Sequence, residues 1–242
     1  MPINHAFLIV LMCLAGVSLA GCREQPASTD LTTGNLPSGS VSWPGLVAPA
    51  TKHVDARLKV LETAPIINRG VLFLGDSITE GAPLFAMYPN LVTANHGIGW
   101  DTTDGVLLRM GQITKNRPER LFLMIGTNDT NYTDDADHIS GNIFKIVTQL
   151  NLALESTEIY VISILPREPR GNQIIEHVNA ALKVGDVTHD YVYLDLAASM
   201  RSVTGVMKSG LSYDNLHLNV HGYAVWEEAL RVCVWSGCPS GI

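Results

Sequence analysis

Four apolar residues, Val71 to Leu74, run directly into Gly75, Asp76 and Ser77, and helix-compatible residues follow. A serine at such a strand-to-helix turn is exposed at the carboxyl edge of a parallel sheet. The helix amino terminus behind it favours developing negative charge. A hydroxyl becomes a useful nucleophile only when a base takes its proton, and imidazole suits that task near neutral pH. Such a base is available in Asp214-Asn215-Leu216-His217, where a carboxylate three residues before the histidine can hold one ring nitrogen while the other faces Ser77. The plainer reading of Asp76 and Ser77 is a helix cap, a role both residue types often fill.

Two further segments fit acyl transfer, which needs donors aimed at a developing oxyanion. Asn95-His96-Gly97-Ile98-Gly99-Trp100-Asp101-Thr102-Thr103 is a glycine-rich transition into a helical pattern, and Leu121 to Ile125 is an apolar run that ends in Gly126-Thr127-Asn128-Asp129. The expected donors are the Ser77 amide, an amide of the 97–100 loop and the Asn128 side chain.

In this order the four segments resemble the blocks of the SGNH hydrolase superfamily, also called GDSL esterases and lipases, over residues 70–230. The resemblance implies a serine hydrolase acting on carboxylic esters through an acyl-serine, with Ser77, His217 and Asp214 as nucleophile, base and orienting acid. Asn128 matches the block III asparagine. In block II the family usually places glycine immediately before the Asp-Thr pair, where this chain has Trp100, with Gly99 one position earlier. Either Trp100 donates its amide, provided the position tolerates a side chain, or Gly99 does. Trp100 is also a candidate wall of the acyl pocket that would favour short acyl groups. Within the family, O-acetyl groups on sugars or polysaccharides are the first expectation, ahead of lysophospholipids, longer acyl esters and thioesters. An O-acyltransferase or a non-catalytic glycan-binding lipoprotein would carry similar residues.

The elements that must position these residues follow from hydrophobic patterning. Short apolar runs at 71–74, 91–95, 121–125, 159–165 and 191–194 read as buried parallel strands. Helical patterns lie at 103–115, 137–154, 172–184 and 220–232, with a lead-in helix over Val54, Arg57, Leu58 and Leu61. The alternation predicts a three-layer α/β/α sandwich with a five-stranded, doubly wound parallel sheet, flavodoxin-like in order, whose ligands bind at the strands' carboxyl ends.

At 242 residues, 46% hydrophobic and 16% charged, the chain has room for one sizeable domain. A net charge of −7 argues against nucleic acid and anionic membrane surfaces as general partners. Small ester substrates or neutral polymers fit better, and nothing in the pattern specifies an oligomer. Residues 1–21 read as a signal peptide ending Leu19-Ala20-Gly21 before Cys22, which resembles a bacterial lipoprotein signal although it holds no Lys or Arg. Cys22 would then carry the lipid anchor to the membrane, residues 22–49 would form a flexible tether, and residues 50–242 the hydrolase domain. Arg23, rather than Asp, after the cysteine favours the outer membrane within the cell envelope. In that oxidising compartment Cys233 and Cys238 are expected to pair rather than remain free thiols.

No cofactor is expected. His217 and His221 are four apart, but Leu218 stands where a zinc-protease helix carries glutamate. His221, Tyr223 and Trp226 read as the start of the last helix. Asp101 and Thr102 read as caps, Asp129 as a loop-orienting residue, and Asp134, Asp135 and Asp137 as an acidic helix start.

Overall fold

The computed structural model describes residues 48–167 and 169–238; the signal peptide, Cys22 and nearly all of the expected tether lie outside them. Within the described residues a five-stranded, all-parallel sheet runs in the order β2-β1-β3-β4-β5. The strands are β1 Val71–Gly75, β2 Thr93–Gly97, β3 Arg120–Met124, β4 Glu158–Ile162 and β5 Val192–Leu194. The expected three-layer architecture is therefore observed. Alternate strand residues face opposite sides. Leu72, Leu74, Leu121, Leu123 and Val161 pack one way, onto α4 (Thr103–Leu108), α5 (Met110–Ile113), α6 (Ala136–Ala153) and α7 (Pro169–His189). Val71, Phe73, Phe122, Tyr160 and Ile162 pack the other way, onto α2 (Ser77–Glu80), α3 (Leu84–Met87), α8 (Leu196–Met200) and α9 (Val220–Ser236). Rings of Phe73, Phe122 and Tyr160 stack across three neighbouring strands, with centroids 5.2 and 4.6 Å apart. The lead-in helix α1 (Ala48–Thr63) closes a third, smaller core through Val54, Leu58, Leu61 and Ile98.

The sheet order reverses at β1, so the crevice between β1 and β3 is the topological switch point where ligands gather. Gly75 pairs in register with Gly97 on one side and Met124 on the other. Ser77, Trp100 and Asn128 thus leave the sheet at one edge, each a few residues beyond a matched rung.

The helices expected at 172–184 and 220–232 extend further, to Pro169–His189 and Val220–Ser236, and three other boundaries differ for an evident local reason. Strand β2 runs two residues later than the apolar pattern, taking in Asn95 and His96. The Asn95 amide is used by the neighbouring carbonyls of Thr79 and Glu80, and His96 is buried, so polar residues belong inside the strand. β4 stops at Ile162, because the Asn179 side chain bonds both the amide and the carbonyl of Ile164 at 2.8 Å in place of a ladder partner. The expected helix 103–115 breaks at Arg109, whose ψ of 15° leaves the helical well as its side chain turns inward. A disulfide joins Cys233 to Cys238 at the end of α9.

Because Phe122 is the middle ring of the stack, Phe122→Ala is expected to cost about 3 to 5 kcal/mol through lost burial and a residual cavity. Urea denaturation followed by circular dichroism measures this, and a loss under ~1 kcal/mol would mean that the core readily collapses around the gap.

Candidate active site

The turn that carries Ser77, the candidate nucleophile, is set by Gly75 and Asp76. A Cβ at Gly75 would lie 2.3 Å from the Met124 carbonyl, so only glycine lets β1 and β3 close at this point. Asp76 is the N-cap of α2, its Oδ1 accepting from the Ile78 amide at 2.9 Å. The cap assigned to this dipeptide is thus Asp76, and Ser77 becomes the first helical residue with its side chain free to project. Ser77 Oγ lies 3.0 Å from His217 Nε2.

The histidine is held by its own turn. Asp214 Oδ1 accepts the amides of Leu216 and His217 at 3.1 and 2.7 Å, and Asn215 takes a positive φ of 64° to close the loop. Asp214 Oδ2 is then 2.7 Å from His217 Nδ1. This favours the tautomer in which Nδ1–H donates to Asp214 and Nε2 accepts the Ser77 proton. Desolvation pushes the Asp214 carboxyl up, but the hydrogen bonds from the His217 ring and from two backbone amides outweigh it and hold it at about 2. It is therefore an ionised carboxylate near neutral pH. The His217 and Asp214 side chains are 43% and 51% exposed, so the base opens directly onto solvent.

The candidate oxyanion donors are carried by the segments that follow β1, β2 and β3. Asn128 is buried, and one of its Nδ2 hydrogens donates to the Asp101 carbonyl at 2.9 Å, which orients the amide and leaves the second N–H available. Gly99 does not fit the role proposed for it, because its amide donates to Glu80 Oε2 at 2.5 Å. The Trp100 amide has no acceptor among the described residues, nor has that of Ser77. Trp100 adopts φ 71°, the left-handed region that glycine enters freely, and its ring is exposed.

Asp101 is not a cap, as its position suggested. Thr102 caps α4 by accepting from Gly105, whereas Asp101 forms an ion pair with Arg109 at 2.8 Å, the two side chains 1% and 0% exposed. Arg109 also donates to the His96 carbonyl at 2.9 Å, clamping the end of β2. Asp129 accepts both the amide and the hydroxyl of Thr103, orienting the start of α4. Arg109 could not be found from sequence, since an arginine in an amphipathic helix pattern reads as surface. His221 lies exposed in the first turn of α9, where its amide donates to the Asn219 cap. Asp135, from the acidic run, caps α6. No group of three or more metal-ligating side chains occurs among the described residues.

The family model for GDSL-like lipases and acylhydrolases matches residues 73–225, a span that includes Ser77, Trp100, Asn128, Asp214 and His217. The chain belongs to the GDSL-like lipase/acylhydrolase family. This GDSL acylhydrolase is 30% identical over 164 residues to platelet-activating factor acetylhydrolase IB subunit alpha2 of Rattus norvegicus, covering 64% of the present chain and 71% of the relative. The alpha1 subunit of the same animal is 30% identical over 166 residues, covering 63% and 69%. Among solved structures, a GDSL-like lipase from Bacteroides thetaiotaomicron superposes with a TM-score of 0.61 at 19% identity, covering 76% of this chain and 96% of that one. A variant of an acetyl-xylooligosaccharide esterase from Geobacillus gives 0.57 at 19% identity, covering 73% and 99%. The fold is shared with both, and the family makes the chain an acylhydrolase.

Burial of Asp76 has a measurable consequence. Desolvation, aided by the nearby charges of Asp101 and Asp129 and opposed by the Ile78 amide, raises its carboxyl from 3.8 to about 7. Between those values the unfolded chain has released this proton while the folded chain retains it. The group's contribution to stability is thus present at low pH, falls as pH rises through this window, and is gone above about 7. Asp76→Asn keeps the cap and removes the titration. Relative to wild type it should gain on the order of 2 to 4 kcal/mol between pH 4 and pH 8, measured by denaturant unfolding at both. A difference that does not change with pH would show that Asp76 is ionised throughout.

Proposed function

We propose that this GDSL acylhydrolase removes short acyl groups, acetyl above all, from carbohydrate esters through an acyl-serine intermediate. Ser77 Oγ attacks the ester carbonyl as its proton passes to His217 Nε2, and Asp214 stabilises the resulting imidazolium. The tetrahedral oxyanion is met by the amides of Ser77 and Trp100 and by the second N–H of Asn128, each donor contributing about 3 kcal/mol when preorganised. Collapse expels the alcohol, which takes the proton from His217. Water then attacks the acyl-serine by the same route in reverse, releasing the carboxylic acid and restoring Ser77.

The observation that carries the esterase reading is the line Asp214–His217–Ser77, 2.7 and 3.0 Å long, at the carboxyl edge of β1. Support for a sugar as the alcohol comes from the openness of the base and from three exposed aromatic rings on the segments that carry the site. They are Trp100, Tyr132 four residues beyond Asn128, and Tyr213 beside Asp214. Flat amphipathic rings of this kind stack on sugar C–H faces while tolerating water at their rims. The names of two relatives, an acetylhydrolase and an acetyl-xylooligosaccharide esterase, point to the acetyl group. We further propose that Cys22 is lipidated and that the residues between it and α1 tether the enzyme in the bacterial envelope, on the outer membrane, where polysaccharide esters are met.

Turnover of p-nitrophenyl acetate, butyrate and octanoate, and of acetylated xylo-oligosaccharides, tests the reading. Acetate should exceed octanoate, acetyl should be released from the sugar, and Ser77→Ala should reduce turnover by roughly 10⁴-fold or more. Trp100→Ala should raise octanoate turnover relative to acetate. Octanoate preference in the wild type would indicate a lipase-like acyl hydrolase, and undiminished turnover in Ser77→Ala would remove Ser77 as the nucleophile.

A further inference from the structure

Trp100 occupies a backbone region that a bulky residue enters only at a cost and only when its surroundings dictate it. On its carboxyl side the surroundings are the Asp101–Arg109 pair and the Asn128 bond to the Asp101 carbonyl. On its amino side they come largely from α1, a helix that lies entirely before the family-matched segment. Val54, Leu58 and Leu61 of α1 enclose Ile98, which is wholly buried two residues before Trp100. Arg57 donates to the carbonyls of Asn95 and Gly97 at 3.0 and 3.1 Å and lies 3.6 Å from Glu80 Oε1. His53, one turn earlier, is 2.9 Å from Glu80 Oε2, the same oxygen that receives the Gly99 amide. Contact is close enough that a Cβ on Gly99 would lie 2.9 Å from His53 Nε2.

We propose that α1 is a clamp on the oxyanion loop: Arg57, and His53 through Glu80, are positioning residues that hold residues 97–99 so that the Trp100 amide stays aimed at the reacting carbonyl. Glu80 is the hub, because it sits at the end of the nucleophile's own helix and fixes the loop to it. The amide of Gly99 is given up to that carboxylate, and this leaves the next amide along the chain unpaired. The clamp acts on the transition state rather than on substrate binding, since an oxyanion exists only there. The proposal rests on the esterase reading given above.

A double-mutant cycle of Arg57→Ala with Trp100→Gly tests it, using p-nitrophenyl acetate and normalising kcat to sites titrated by a fluorophosphonate. Arg57→Ala should lower kcat about tenfold with KM within about twofold of wild type. In the Trp100→Gly background, where the positive φ carries no steric penalty, the same change should cost less than about twofold. Equal losses in both backgrounds, or wild-type kcat in Arg57→Ala, would overturn the clamp. Should Arg57→Ala fail to fold, His53→Ala at an exposed position is read in the same cycle, with an expected loss of about threefold that also disappears with Trp100→Gly. Ser77→Ala keeps the two readings apart: turnover near the wild-type rate in that variant refutes the serine mechanism, whereas a loss of roughly 10⁴-fold together with an additive cycle refutes the clamp alone.

Discussion

The hydrogen bond between Ser77 Oγ and His217 Nε2 joins residues 140 positions apart, and the rest of the molecule is organised to hold it at 3.0 Å. One end is delivered by a strand that stops at a glycine and a helix that starts at an aspartate. The other is delivered by a turn wound around the Asp214 carboxylate and by α9 beginning three residues later. A second bridge ties these ends together, because Tyr223 of α9 donates to the Ile78 carbonyl of α2 at 2.7 Å. Fully buried Trp226 anchors α9 in the same core that receives Ile78. The long loop closure that places His217 beside Ser77 is thus stabilised by apolar burial, leaving the hydrogen bond to set direction.

Charge beneath the site serves orientation. Arg109 is buried in full with Asp101, an arrangement whose desolvation cost roughly cancels its attraction, so it contributes little net stability while fixing geometry. Through it the end of β2, the 97–101 loop and, by way of the Asp101 carbonyl, Asn128 become one unit. Asp129 joins the start of α4 to this unit through Thr103. The side bearing Asn128 is consequently cross-linked by buried polar contacts, while the side bearing His217 is open to solvent. That asymmetry suits an enzyme whose transition state needs fixed dipoles and whose alcohol needs space.

Much of this was legible in the chain. β1 and β3 announce themselves as apolar runs ending in glycine or near it, and Ser77, Asn128, Asp214 and His217 are residue types that chemistry restricts. The short helices α2, α3 and α8 span too few residues to show a 3.6-residue period. Asp101 read as a cap because its partner, Arg109, is eight residues away inside a helical pattern that the pairing itself interrupts. The choice between Gly99 and Trp100 was open in the sequence, because the deciding group is Glu80, nineteen residues upstream and without a motif to mark it. Pairings of this kind depend on the fold and leave no local signature.

Intact-mass and peptide mass spectrometry after reaction with a fluorophosphonate bear most directly on the serine mechanism. The account predicts one phosphonyl group per chain, located on Ser77, forming rapidly in the wild type and at least about 100-fold more slowly in His217→Asn, where the base is lost. An adduct on another residue, or labelling of Ser77 at an unchanged rate without His217, would contradict it.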